Sequence, residues 1–250
     1  MQNINNNSSA KSLKIALIGY GKMGKAIEEI AIQKGHSIIL KIDADNLEDF
    51  TVTKLQQCDV AIEFTSPHSA VQNIKNCIDA GIPVASGSTG WLEEWPGVKK
   101  YCEEKNGTLI YASNYSIGVN IFFEVNKKLA SMMSSHTAYN VMVEEIHHTA
   151  KKDAPSGTAI TLAEQVLAAY PRKKNWVNDV TNSEEELSII SKRLDPAPGT
   201  HHVKYSSAID DIEIIHTAHN RKGFASGAVL AAEYIAGKKG IFTMQDVLGL

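Results

Sequence analysis

A chain of 250 residues has room for one or two domains, and folding at that size buries about 70–75% of the surface exposed by the unfolded chain. Its 25 basic and 28 acidic residues leave a net charge of −3, so no excess of positive charge is available for a nucleic-acid backbone. Cys58, Cys77 and Cys102 are too widely spaced for a CxxC motif, and three is an odd number for a disulfide framework; buried, reduced thiols are expected. Residues 1–12 are rich in Asn and Ser, lack the apolar stretch of a secretory signal and read as a disordered tail. No apolar run reaches the length needed to span a bilayer, so a cytoplasmic chain is expected.

Lys14-Ile-Ala-Leu-Ile-Gly19 is a short apolar run, the pattern of a strand buried on both faces of a parallel sheet. A helix follows over 25–34, with Ala26, Ile27, Ile30 and Ala31 at helical spacing and Gly35 at the left-handed cap position; 37–42 is the second strand. The alternation continues with a strand at 59–65, a helix at 69–80, a strand at 82–86, a helix at 93–106 and a strand at 108–112. Strand, helix, strand order demands right-handed crossovers, hence an α/β, Rossmann-type doubly wound parallel sheet. Beyond Asn114 the pattern changes. A helix at 120–133, a strand at 140–147, a helix at 156–170 and strands at 201–206 and 211–217 point to an inserted, mixed α+β domain, after which a helix at 224–236 returns to the first. The expected division is 13–117 with 221–250 for dinucleotide binding, and 118–220 for substrate binding and oligomerisation.

Gly19-Tyr-Gly-Lys-Met-Gly24 is a GxGxxG set between a strand and a helix. Gly19 permits the tight turn, Gly21 lets backbone approach a pyrophosphate, and Gly24 allows close helix–strand packing, while Lys22 and Met23 fill the turn. Asp43 ends the second strand, where a carboxylate accepts from the adenine-ribose hydroxyls.

The segment from Glu144 to Ala159 (EEIHHTAKKDAPSGTA) concentrates His147, His148, Lys151 and a Pro-Ser-Gly-Thr turn that opens an amphipathic helix. Ser156 is a good N-cap, and the free N–H groups of Gly157 and Thr158 make an anion site with the helix dipole. Lys151 adds a second positive group, which suits a dicarboxylic ligand, and the histidines can deliver a proton near neutral pH. A zinc site built from His147, His148, His201 and His202 is disfavoured, because adjacent residues on a strand point to opposite faces; no metal is expected.

These motifs occur in order with Glu63-Phe-Thr65, Gly87-Ser-Thr-Gly90, Ser113-Asn-Tyr-Ser-Ile-Gly-Val-Asn120 and Arg221 before Phe224-Ala-Ser-Gly-Ala228. Together, from about residue 13 to Leu250, the chain resembles the 4-hydroxy-tetrahydrodipicolinate reductase (dihydrodipicolinate reductase) family. The resemblance implies a nicotinamide-dependent reductase of lysine and diaminopimelate biosynthesis, acting on a cyclic imine dicarboxylate and assembled as a homotetramer. It implies that His147 is the general acid, with Lys151 beside it in the catalytic set. His148, Lys151, Ser156, Gly157 and Thr158 would hold the ring carboxylates, and Thr89 would touch both nicotinamide and substrate. Phe64, Thr65, Gly87, Ala112 and Tyr115 would line the cofactor pocket, and Arg221 would lie near a hinge and the cofactor. Ala44 stands where the family usually has a basic residue, so NADH is expected to be preferred, with NADPH still used. Two rivals share the glycine turn: another amino-acid or hydroxy-acid dehydrogenase, which leaves Lys151 and the Pro-Ser-Gly-Thr turn unexplained, and a non-catalytic dinucleotide sensor.

Overall fold

The computed structural model describes residues 11–220 and 222–250, so Arg221 and most of the expected N-terminal tail lie outside the described residues. The chain divides into two compact units, one running up to Ala112 and including Ala228–Thr243, the other comprising Ser113–Gly227 and Met244–Leu250. Among the described residues, no helix is long and apolar enough to cross a membrane.

The first unit alternates strand and helix: β1 (Lys14–Ile18), α1 (Lys22–Gln33), β2 (Ser37–Ile42), α2 (Val52–Leu55), β3 (Val60–Glu63), α3 (Pro67–Asp79), β4 (Val84–Ser86), α4 (Trp95–Glu104) and β5 (Thr108–Tyr111). The second contains α5 (Ile117–Met133), β6 (Asn140–His147), α6 (Gly157–Ala169), β7 (Asn175–Val177), β8 (Glu186–Arg193), β9 (Gly199–Ser206) and β10 (Asp211–Ala218). Helix α7 (Lys222–Ile235) begins in the second unit and ends in the first, which gains β11 (Gly240–Phe242); α8 (Met244–Leu248) closes the chain.

The first sheet is wholly parallel in the order β11-β5-β4-β3-β1-β2. Its central strands are buried almost throughout, which is why they read as unbroken apolar runs, whereas the edge strand β2 alternates. Gly35 takes φ +85° and donates to the Ile32 carbonyl, while His36 N–H reaches back to Ala31, so the glycine ends α1 as its position predicts. All three cysteines are free and buried, and burial pushes the Cys58 thiol up to about 11.

In the second unit, the mixed sheet runs β10-β9-β6-β8-β7, with β6 antiparallel to β9 and parallel to β8. Strict alternation along β6 and β9 turns Val141, Val143, Val203 and Tyr205 into the core, packed against Val119, Phe122, Leu162 and Val166 of α5 and α6. The last positions of the same buried face are polar: Glu145 and His147 on β6, His201 on β9.

Several boundaries differ from expectation. The segment expected as one helix from residue 93 opens as a 3-10 turn at Leu92–Glu94, and α4 starts at Trp95 with Pro96 in its first turn. The helix expected from Asn120 begins three residues earlier, because Ser116 caps it by accepting from Val119 N–H. Strands β7 and β11 and the short helices α2 and α8 carry too little periodicity to be read from three-residue strands and single turns, and tertiary pairing supplies what the local pattern lacks; the eight-residue β8 was also not expected, its burial being less regular toward its end.

Candidate active site

In the first unit, β1 ends where the sheet order switches, with β2 on one side and β3 on the other. Gly19 turns there at φ +91°, and a Cβ on it would stand 2.0 Å from the Phe64 carbonyl oxygen. A Cβ on Gly24 would meet the Gly19 carbonyl oxygen at 2.3 Å, whereas around Gly21 nothing lies within 4 Å. The three glycines thus divide the work as expected: turn, open approach, close packing. Gly21 is also the N-cap of α1 and no side chain caps that end, so its first N–H groups remain available to an anion.

A cleft of about 420 Å³ opens at this point, lined by Gly19, Gly21, Asp43, Ala44, Phe64 and Thr65 among others. Asp43 is exposed at its rim; its backbone N–H donates to Asn46 Oδ1 at 2.7 Å, and its own carboxylate accepts Ala44 N–H at 2.9 Å. A larger hollow of about 680 Å³, beside Leu13, Asp59 and Ile82, sits at the amino ends of the strands, the wrong end of a doubly wound sheet for a ligand. Next to the lining residues Phe64 and Thr65, Glu63 is a fully buried carboxylate that accepts from Ser86 Oγ at 2.6 Å, Ser88 Oγ at 2.8 Å, Thr65 N–H at 3.1 Å and the Thr65 hydroxyl. Gly87 lets the Phe64 ring pack against it, since a Cβ there would come within 2.2 Å of that ring. Lys22 and Thr89 are exposed, and Met23 and Ala112 are partly buried. Tyr115, which belongs to the second unit, is only 2% exposed, held there under a backbone approach that only Gly227 allows, because a Cβ on Gly227 would sit 1.7 Å from the Tyr115 carbonyl oxygen. Lys41 is taken by Glu28 at 2.7 Å and by the Tyr20 hydroxyl at 3.2 Å.

In the second unit, β6 delivers Glu145 and His147 to one face two residues apart, and strand register sets His201 opposite Glu145 and Arg193 opposite His147. Glu145 has no exposed surface. Its Oε1 accepts Ser156 N–H at 3.1 Å and Arg193 Nη2 at 3.2 Å, and its Oε2 lies 2.9 Å from His147 Nδ1. Burial by itself would raise the Glu145 carboxyl, but the adjacent His147 ring and the Ser156 N–H outweigh it and hold the group ionised, well below the usual carboxylate range. The His147 and His201 rings meet edge to face at 5.1 Å, and His201 Nε2 lies 3.2 Å from Ser156 Oγ. Burial, then the neighbouring His147, pushes His201 down to about 3, so it stays neutral near pH 7.

Ser156 caps α6 by accepting Ala159 N–H at 3.2 Å, and Gly157 and Thr158 follow with backbone N–H groups in the first turn. Gly157 is exposed, with nothing near where a Cβ would be. Lys151 Nζ is held by both carboxylate oxygens of Asp153 at 2.8 Å, so an incoming carboxylate must displace that partner. His148 is partly buried just past the end of β6, and His202 on the opposite face pairs with Glu213. Of the four histidines weighed as zinc ligands, the fold therefore gathers His147 and His201 alone. One donor atom each from Glu145, His147 and His201 lies within 4.8 Å of the others, a grouping of metal-ligand types in which the Arg193 guanidinium is the positive partner of the carboxylate.

Sequence reasoning passed over Glu145 and Arg193 and weighed His201 only as a zinc ligand. The signal for Glu145 lies in the period-two alternation: after Val141 and Val143, the next two core positions of β6 are a carboxylate and a histidine, which no apolar core would choose.

Comparison with known proteins agrees. Residues 13–115 match the family model described as dihydrodipicolinate reductase, N-terminus, and residues 118–248 match its C-terminus. The 4-hydroxy-tetrahydrodipicolinate reductase of Christiangramia forsetii is 50% identical over 240 residues, 94% of this chain and 98% of that protein. That of Methanosarcina mazei is 35% identical over 240 residues, 94% of this chain and 89% of the relative. In fold, the chain resembles a dipicolinate-bound dihydrodipicolinate reductase from Paenisporosarcina sp. TG-14, with a TM-score of 0.72 at 21% identity over 94% of this chain and 99% of that one. With both halves matched in order and half the residues shared with one relative, the chain belongs to the dihydrodipicolinate reductase family.

Proposed function

We propose that the chain reduces 4-hydroxy-tetrahydrodipicolinate (dihydrodipicolinate) to tetrahydrodipicolinate with NADH or NADPH, in the biosynthesis of diaminopimelate and lysine. The observation that carries this reading is the cluster of the second unit: a buried carboxylate–histidine pair beside a serine-capped helix start and Lys151, a set that fits a dicarboxylate needing one proton. The residues of the first unit fit a dinucleotide, since Gly21 leaves open space before the uncapped start of α1 and Asp43 ends β2 at the cleft rim. When bound, the reduced nicotinamide supplies the hydride.

The protein's own residues do the rest. The α6 N–H groups at Gly157 and Thr158, the Ser156 hydroxyl, His148 and Lys151 hold the two ring carboxylates and so fix the ring's orientation. Hydride addition leaves the conjugated ring carrying an electron pair at the neighbouring carbon, and His147 donates the proton that forms the second new carbon–hydrogen bond. Gly19, Gly21, Lys22, Met23, Gly24, Asp43, Phe64, Thr65, Gly87, Thr89, Ala112, Tyr115 and Arg221 constitute the cofactor site, with 13–117 and 221–250 as its domain and 118–220 as the domain for substrate and assembly.

NADH is the preferred cofactor, because Asp43 and the small Ala44 line the cleft and Lys41 is committed to Glu28. The enzyme works in the cytoplasm as a homotetramer, which β10 supports as an eight-residue edge strand with Ile212 and Ile215 exposed. A coupled assay tests the activity, with the upstream synthase generating the unstable substrate and the nicotinamide absorbance reporting turnover. Cofactor binding without oxidation would instead favour the sensor reading.

A further inference from the structure

Glu145 is a fully buried carboxylate with its two oxygens divided between two tasks. Oε1 takes the Ser156 N–H that leads into the α6 anion site, together with the Arg193 guanidinium. Oε2 lies 2.9 Å from His147 Nδ1, off the ring's N–H direction, and neither atom has another partner. Arg193 further donates to the backbone carbonyls of Asp153 at 2.6 Å and Lys151 at 3.3 Å, so the loop that carries Lys151 hangs from the same ion pair. We propose that Glu145, braced by Arg193, is the positioning residue for His147, and that it ties the proton donor to the substrate's anion site through one shared carboxylate. The proposal rests on the reading of His147 as the general acid.

The division of atoms decides which nitrogen reacts. With Nδ1 turned to Glu145, the exchanging nitrogen is Nε2, and on that side Gly199 keeps space: a Cβ there would come within 3.0 Å of Nε2. In the step itself, the ring's electron pair takes the proton from Nε2, the new carbon–hydrogen bond cancels the charge left by hydride addition, and the imidazole is left neutral with its proton on Nδ1. Solvent then reprotonates Nε2. The groups that face His147 are Glu145 on its own strand, His201 on β9 with His216 on β10 beyond it, Arg193 on β8 through Glu145, Ser156 at the start of α6, and Lys151 with Asp153 in the loop after β6. Among these, Glu145 is the carboxylate against the ring, 2.9 Å from Nδ1, while the Asp153 carboxylate is taken by Lys151.

Two measurements test this. In the wild-type chain, nitrogen NMR on histidine-labelled protein, with the His147 signal assigned by its loss in His147→Gln, should show the neutral ring protonated on Nδ1; a neutral ring protonated on Nε2 would overturn the proposal. In Glu145→Gln, the alkaline limb of kcat/KM should move to lower pH than in wild type, since the variant removes the carboxylate charge 2.9 Å from His147 Nδ1. Titration of pyridine-2,6-dicarboxylate into the same variant should show weakened affinity, and Glu145→Asp should restore part of both. A folded Glu145→Gln with an unmoved alkaline limb refutes the proposal, and if that variant does not fold, the wild-type tautomer decides alone. Normal turnover by His147→Gln refutes the acid assignment itself, and the positioning role with it, an outcome distinct from an unmoved limb in an enzyme that still depends on His147.

Discussion

His147 is the residue on which the chemistry turns. His147→Gln removes the proton but leaves the first unit untouched, so turnover is expected to fall by about 10²–10⁴-fold with cofactor affinity unchanged. Steady-state rates and a separate cofactor titration check both halves. At the rim of the other cleft, Ala44 and Asp43 decide the cofactor: a charge-assisted bond to a 2′-phosphate is worth about 1.5–3 kcal/mol, roughly ten- to hundredfold in affinity, and Ala44 cannot make it. Lys41, on β2 two residues before Asp43, is engaged by Glu28, which leaves Lys22 and Lys25 as the ammonium groups in and just after the glycine turn to consider. NADH should give the higher kcat/KM, and Ala44→Arg should move the ratio toward NADPH. A tenfold NADPH advantage in the wild type would refute this account.

At the scale of the element, α6 owes both its start and its ligand site to Ser156. The side chain caps Ala159 N–H and touches His201, while the backbone N–H is spent on Glu145. Ser156→Ala should therefore cost about 1 kcal/mol of stability and weaken pyridine-2,6-dicarboxylate at the same time, because one hydroxyl serves cap and ligand. Denaturant unfolding and calorimetric titration read the two effects separately, and loss of stability with unchanged dicarboxylate affinity would remove Ser156 from the binding set. The same analogue should compete with substrate in the wild type and bind more tightly with reduced cofactor present, because cofactor binding is expected to favour the substrate-binding state.

For the whole molecule, the buried histidines make stability depend on pH. The folded state holds His201 neutral down to about 3, and burial lowers His216 as well, whereas in the unfolded chain both take up protons near 6.5. The unfolded state therefore binds more protons below pH 6.5, and unfolding free energy falls through His201 as pH drops from about 6.5 toward 3, by up to about 1.4 kcal/mol per unit, with His216 adding to the loss below 6.5. Glu145, depressed in the folded state, adds to the loss below its ordinary range near 4.5. Urea midpoints measured between pH 7 and 5 should decline, and more shallowly in His201→Gln; a parallel decline in the variant would show that other groups are responsible. Assembly is tested at the β10 edge: the wild type should sediment as a tetramer, and Ile215→Lys should shift it toward smaller species.

The sequence by itself determined what depends on local backbone chemistry and on periodicity. Gly19, Gly21 and Gly24 announce the turn because only glycine tolerates φ +91° at Gly19 and the 2.3 Å approach at Gly24, and Ser156 announces a helix start because its side chain bonds three residues on. Buried parallel strands read as apolar runs, so β1, β3 and β4 were legible. The tertiary structure decided what depends on register between distant segments. That Arg193 and His201 meet Glu145 follows from β6 pairing with β8 and β9, which bring together residues 48 and 56 positions apart along the chain (193 − 145 and 201 − 145), and no local pattern encodes that pairing. The commitment of Lys41 to Glu28 and of Lys151 to Asp153, and the buried network that Glu63 gathers from Thr65, Ser86 and Ser88, likewise exist only once the fold has brought the partners within bonding distance.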